Sequence, residues 1–138
     1  MVKDKYHDLV RLALENDGWL ITHDPYKIKL GKRRGYIDLG AEKQMIAAEK
    51  GEDKIAVEIK SFSSPSDLDS FENALGQFLI YWRALKFKEP DRILYLGVPR
   101  SFYARFFDDL FFLETAKDFN VNMLVYDEQK GIIEQWIK

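Results

Sequence analysis

The chain reads as a single α/β domain over residues 1–138, a mixed β-sheet flanked by helices, and three observations lead there. The run "RILYLGVP" is apolar almost throughout and closed by Pro99, the mark of a central strand covered on both faces. Stretches with helical hydrophobic spacing lie before and after it. Strand-like runs fill much of the first half and the C-terminal end, so the order is helix, β-meander, helix, strand, helix, strand, strand.

Each element has a local reason. From Asp4 to Asn16, Tyr6, Leu9, Val10, Ala13 and Leu14 keep a helical period, and Asp17-Gly18 supplies the stop. "WLITHDPY" reads as a short strand ending at Asp24-Pro25, and "KLGKRRG" as a basic loop bounded by glycines. "YIDLGAE" and "QMIAAEKGEDKIAVEIKSF" follow, the second holding two strand-like runs joined by a Lys50-Gly51-Glu52-Asp53 turn. Past Pro65, Ser66 with Asp69 has the form of a capping box. Leu68, Phe71, Leu75, Phe78, Leu79, Trp82 and Leu85 then recur at helical spacing, which predicts a long helix from about Asp67 to about Lys86. After the central strand, "SFYARFFDDLFFLETAKDF" predicts one or two aromatic-rich helices, mostly core, with any exposed remainder a surface for self-association or a partner. "NMLVYDEQKGIIEQWI" reads as strand, turn, strand. No internal repeat, low-complexity tract or linker interrupts the order.

Composition narrows the function classes. A hydrophobic fraction of 46% with ten Phe, seven Tyr and three Trp is ample for one core. The 21 Lys and Arg against 23 Asp and Glu leave a formal charge of -2, so any nucleic-acid contact must use a local basic patch. With no cysteine, disulfides and thiolate zinc sites are excluded, and only His7 and His23 offer imidazoles. A metal would be held mainly by carboxylate oxygens, which suits Mg²⁺ or Mn²⁺. The N-terminus lacks an apolar signal core and no run is long enough to span a bilayer, so the expectation is a soluble cytoplasmic protein with no membrane role.

One stretch raises a chemical question. In "AVEIKSF", Val57 and Ile59 point to one face of a strand while Ala56, Glu58 and Lys60 point to the other. On a wet sheet face the acid and base are a solvated pair; on a covered face they are a buried catalytic group. Asp38, in "YIDLGAE", lies on a segment that sheet pairing can bring beside Glu58, and two carboxylates at a strand end can hold a divalent ion. Lys60 would then orient the attacking water or stabilise charge developing on a phosphoryl group. Read alone, Asp38 before Gly40 is a turn-forming aspartate. In "GQFLIYW", Gln77 and Tyr81 are four residues apart and share a polar helix face, separate from the Leu75, Phe78 and Trp82 stripe, on a helix that packs naturally over the Glu-x-Lys strand; the plainer reading is a half-buried tyrosine on an alkyl neighbour.

Asp…Glu-x-Lys followed by a helix with Gln-x-x-x-Tyr resembles the restriction-endonuclease-like PD-(D/E)XK superfamily, notably its Holliday-junction resolvase and RecB-like branches. The resemblance implies a mixed β-sheet flanked by helices, Asp38 and Glu58 as metal ligands with the Ile59 carbonyl a third, and Lys60 as the catalytic lysine. Gln77 and Tyr81 join the catalytic set. Ile37 precedes Asp38 where the superfamily motif has proline, and a hairpin is inserted between Asp38 and Glu58.

A closer likeness covers nearly the whole chain. "YHDLV", "DGWLITHDPY", "GYIDLGAEK", "IAVEIKSF", "SDLDSFENALGQFLIYWRAL", "DRILYLGVPRSFY", "MLVYD" and "IEQWIK" are similar to the XisH family, the fdxN element excision controlling factors of cyanobacteria. That resemblance implies a role in programmed excision of a DNA element during heterocyst differentiation, alongside a site-specific recombinase and other Xis factors. An endonuclease-like site acting on DNA with Mg²⁺ or Mn²⁺ is the first expectation. A catalytically inactive nuclease fold that binds DNA or recombination partners is the second.

Other residues carry weaker signals. His7 lies on the first helix, which in PD-(D/E)XK folds often contributes to the site, but a surface or capping histidine beside Asp8 is the preferred reading. Glu15 lies two turns further along the same helix and ranks no higher. Glu42 and Glu49 flank the hairpin and can approach Asp38, although a solvated strand end explains both. Lys32, Arg33 and Arg34 form the best local basic patch, a candidate contact for DNA phosphates near Asp38 or simply a charged loop tip.

Overall fold

The computed structural model describes residues 3–44 and 52–138. Helix α1 spans His7–Asn16 and starts three residues later than its hydrophobic period predicts. The reason is Asp4, whose carboxylate accepts the Tyr6 N–H at 2.9 Å while its carbonyl accepts the His7 N–H at 3.0 Å. These bonds close a turn in front of the helix.

Strand β1 (Leu20–His23) is followed by β2 (Tyr26–Leu30) and β3 (Arg33–Ile37), which pair as a separate antiparallel ribbon. The basic segment expected as a loop is therefore mostly strand, with Lys29 opposite Arg34 and Leu30 opposite Arg33. Its tip shrinks to Gly31 and Lys32, because Gly31 at φ +63° permits a tight reversal. Alternation sets the register, burying Tyr26 and Ile28 and exposing Lys27 and Lys29. A Cβ at Gly35 would lie 2.9 Å from Leu30 Cδ1, so a larger residue there would displace the Leu30 side chain.

Strands β4 (Leu39–Gln44) and β5 (Glu52–Ile59) pair antiparallel. Glu52 and Asp53, expected in a turn, begin β5 and face Gln44 and Lys43 in register. Most of the first strand-like run, the Lys50-Gly51 half of that turn, and Glu49 lie outside the described residues.

Helix α2 (Asp67–Lys88) opens as its capping pattern predicts, with the Ser66 hydroxyl accepting the Asp69 N–H at 3.1 Å. It buries Phe71, Ala74, Phe78, Tyr81 and Leu85. Leu68 and Trp82, expected in that stripe, are exposed: Leu68 lies in the first turn, and Tyr81, one residue before Trp82, takes the inward direction. Next come β6 (Ile93–Pro99), α3 (Arg100–Phe106), α4 (Leu110–Asp118), β7 (Met123–Asp127) and β8 (Ile132–Ile137). Asp109 caps α4 by accepting the Phe111 N–H, which splits the aromatic stretch into two helices.

The main sheet runs β1-β4-β5-β6-β7-β8 and is mixed, with β6 parallel to both neighbours. On one face α2, α3 and the ribbon pack around Phe71, Phe78, Phe102 and Phe106. On the other, Val10 and Leu14 of α1 pack with Leu39, Val57, Ile59 and Tyr126. Of the aromatic stretch, Phe102, Phe106 and Phe107 are core, while Leu110 and Phe111 are exposed. Among the described residues no helix is long and apolar enough to cross a membrane.

Candidate acidic site at the strand ends

Asp38 is the single residue between β3 and β4, where the chain leaves the ribbon and enters the main sheet. Leu39 pairs with Val57, so the preceding residue of β4 is carried alongside the next residue of β5, Glu58. The two acids then lock reciprocally. The Ile59 N–H donates to Asp38 Oδ2 at 2.7 Å, and the Asp38 N–H donates to Glu58 Oε1 at 3.2 Å. Both residues are buried, at 8% and 5% exposure, so Glu58 is not part of a solvated strand pair: the sheet is covered on both faces.

Burial penalises the charged form of Glu58, and Asp38 beside it adds repulsion; together they push its pKa up to about 9. Lys60 opposes this, with Nζ 3.6 Å from Glu58 Oε2. The backbone of Lys60 is pinned at both ends. Its N–H donates to the Gly97 carbonyl at 3.1 Å, and its own carbonyl accepts the Tyr126 hydroxyl at 2.7 Å. Beyond it, Phe62 adopts the left-handed region at φ +52° and its ring stacks on Phe102, turning the chain off the sheet.

From α2, Gln77 Nε2 donates to the Tyr81 hydroxyl at 3.0 Å. Gln77, Tyr81, Asp38, Glu58, Ile59 and Lys60 line one cleft of about 310 Å³, shared with Arg34 and Tyr36 from the ribbon. The five residues read as catalytic therefore converge. Tyr81 belongs to the buried stripe of α2, not to a separate polar face, so only its hydroxyl end reaches the cleft.

His7 corrects a reading made from the sequence. It is 1% exposed, not a surface or capping residue. Its Nε2 bonds Asp24 Oδ1 at 2.8 Å, and Asp24 also takes Arg11 at 2.5 Å. Its Nδ1 is buried without a hydrogen-bond partner among the described residues and lies 3.8 Å from Asp38 Oδ1. Of the basic patch, Arg34 lines the cleft, whereas Lys32 and Arg33 are exposed nearer the ribbon tip and do not. Glu42 turns away from Asp38 to bind the buried Arg92 at 3.2 Å, and Glu15 is a surface partner of Arg11. Asp4 and Tyr36 also line the cleft and were not anticipated. Asp4 carries a local signal, an acid just before a helical period; Tyr36 carries none, because only the ribbon's docking turns it inward.

Among the described residues no group of three or more His, Asp or Glu side chains is arranged to hold a metal ion. Asp38 and Glu58 are a pair, so a third protein ligand would come from the main chain, where Ile59 lines the same cleft. The donor set fits a hard divalent cation nonetheless. The crowding that raises the Glu58 pKa would be relieved by a bound cation, and oxygen donors suit Mg²⁺ or Mn²⁺.

Fold and site define a mixed α/β protein with a buried acid pair and a lysine at the strand ends, where β4 begins and β5 finishes, in a helix-covered sheet. A family profile described as XisH protein matches residues 1–134. An XisH family protein from Nostoc punctiforme PCC 73102 is 42% identical with a TM-score of 0.86, the alignment covering 98% of this chain and 100% of that one. A fdxN element excision controlling factor protein from Anabaena variabilis is 44% identical with a TM-score of 0.87, covering 96% and 98%. Among curated proteins there is no match. The chain belongs to the XisH family.

Proposed function

We propose that this XisH family protein acts in programmed excision of an fdxN-type DNA element as a divalent-cation-dependent phosphodiesterase of PD-(D/E)XK type. The observation that carries the reading is the convergence of Asp38, Glu58 and Lys60 in one cleft with the Gln77–Tyr81 pair above them. The excision role comes from the name of the Anabaena variabilis relative. On this reading DNA is the substrate, and a recombinase with other excision factors are the partners implied by the family.

Asp38, Glu58 and the Ile59 carbonyl would hold Mg²⁺ or Mn²⁺, which when bound polarises a phosphoryl oxygen and lowers the pKa of a water. The protein supplies the rest. Asp38 is oriented by the Ile59 N–H, Glu58 by the Asp38 N–H. Lys60, its backbone held by Gly97 and Tyr126, presents an ammonium to an attacking water or to charge gathering on phosphate oxygens. Gln77, held by Tyr81, offers an amide to a neighbouring phosphate.

A second reading, a catalytically inactive fold that binds DNA or recombination partners, is favoured by the absence, among the described residues, of a third acid or imidazole grouped with Asp38 and Glu58 to hold a metal. One experiment separates them: Mg²⁺- and Mn²⁺-dependent cleavage of supercoiled and branched DNA by wild type, Asp38→Ala and Lys60→Ala, purified identically. Cleavage by wild type that falls at least a hundredfold in both variants is expected. Absence of cleavage in all three, with no divalent-ion binding by calorimetry, overturns the nuclease reading and leaves the binding factor.

A further inference from the structure

The acidic cleft does not end at Arg34. Arg34, Gly35 and Tyr36 also line the start of a second groove, which runs between the β2–β3 ribbon and the C-terminal half of α2. It continues past the ribbon tip as a further stretch, each part about 700 Å³ in volume (710 and 760 Å³). The floor is apolar, made by Ile28, Leu30, Leu79 and Ala84, and the Phe87 ring stands over it 85% exposed. The rim is cationic, from Lys27, Lys29, Arg34, Arg83 and Lys88. Among the described residues no carboxylate lines either stretch.

In a chain of net charge -2 this concentration is local, and the ribbon adds a cost to it. Its register sets Lys29 directly opposite Arg34, a like-charge cross-strand pair that is unfavourable unless an anion lies over it. Charge therefore calls for a polyanion, while the apolar floor and the exposed ring call for flat apolar faces. Duplex DNA offers phosphates but hides its bases in the stack. An unpaired strand offers both, phosphates to the cations and base faces to an aromatic ring. The span agrees: Gln77 and Phe87 are ten residues apart on one helix, about 15 Å, or roughly four nucleotides at stacked spacing.

We infer that this groove binds an unpaired segment of nucleic acid adjoining the acidic cleft, with a base against Phe87 and its phosphates on Lys29, Arg34 and Arg83. The inference rests on the proposed action on DNA and narrows its substrate to strands with an unpaired stretch beside the reacting phosphate.

The test is fluorescence anisotropy on the full chain in EDTA, so that cleavage plays no part, with a labelled twelve-nucleotide thymidine oligomer and a hairpin duplex of the same sequence length. The oligomer is expected to bind more tightly than the duplex. Phe87→Ala should weaken the oligomer about tenfold and leave the duplex unchanged. Lys29→Glu should reduce the salt slope of oligomer binding by about 0.7 or more, one phosphate contact's share. Equal affinity for both probes, indifference to Phe87→Ala, or a polyglutamate competitor as effective as the oligomer overturns the inference; the last would assign the groove to an acidic peptide. Self-association that masks Phe87, read by light scattering, also overturns it. Because binding is measured without divalent cation, it does not depend on cleavage at Asp38 and Lys60: lost cleavage with intact Phe87-dependent binding fails the catalytic reading alone, and cleavage with Phe87-independent binding fails the groove alone.

Discussion

Glu58 is held where a lone carboxylate would prefer to keep its proton, and that has a consequence for stability. Its folded pKa is raised above the unfolded value of 4.5, to about 9, by burial first and by Asp38 second. The folded state therefore binds the proton more tightly, so its contribution is fully present below the unfolded value and is lost as pH rises through the folded one. In EDTA, chemical denaturation of wild type should show stability falling between about pH 5 and pH 9, by at most about 1.4 kcal/mol per pH unit. Glu58→Gln should flatten that profile and be the more stable protein at pH 8; parallel profiles for the two would show that Glu58 titrates normally. Neither this environment nor that of His7 is written in the residues themselves. The sequence shows a histidine beside Asp8 and an acid two positions before a lysine, while burial of His7 depends on Asp24 arriving from another segment.

At the scale of elements, local signals succeeded where hydrogen bonding is local. Ser66 caps α2 because its hydroxyl needs only the N–H three residues on. The apolar run of β6 marked a central strand because both of its faces are covered. The segment Lys29–Gly35 looks like a loop because clustered basic residues and glycines are loop chemistry, but pairing of β2 with β3 across a tip at Gly31 and Lys32 outweighs that preference. A long-range contact also tunes the end of β5, where the Tyr126 hydroxyl holds the Lys60 carbonyl at 2.7 Å. Tyr126→Phe removes that donor while keeping the ring. It should cost about 1 kcal/mol in denaturant unfolding and, if the site cleaves DNA, lower kcat with little change in cation affinity. An unchanged kcat would relieve Tyr126 of any part in positioning Lys60.

For the whole molecule, a cation that binds the acid pair binds only the folded state, because Asp38 and Glu58 are twenty residues apart in the chain. At about tenfold over its dissociation constant, Mg²⁺ or Mn²⁺ should stabilise by about 1.4 kcal/mol and raise Tm by roughly 3–6 °C. Asp38→Ala should abolish that shift. A rise of equal size in the variant would mean the ion binds elsewhere. Removing an anchor of the larger core is expected to act differently: Phe78→Ala should lower stability by about 3–5 kcal/mol whether or not cation is present, since its ring is fully buried beneath α2.

Hydrophobic periodicity and capping sufficed for the α/β class, the long helix and the central strand, because each depends on residues a few positions apart; Asp38 and Glu58 stood out as candidates only through the motif they resemble. Folding in three dimensions settled what depends on distance between segments. It brought Asp38 beside Glu58 through the pairing of Leu39 with Val57, buried His7 against Asp24, and turned Tyr36 and Arg34 into the cleft. Those relations come from sheet register and packing, which join parts of the chain that share no local pattern.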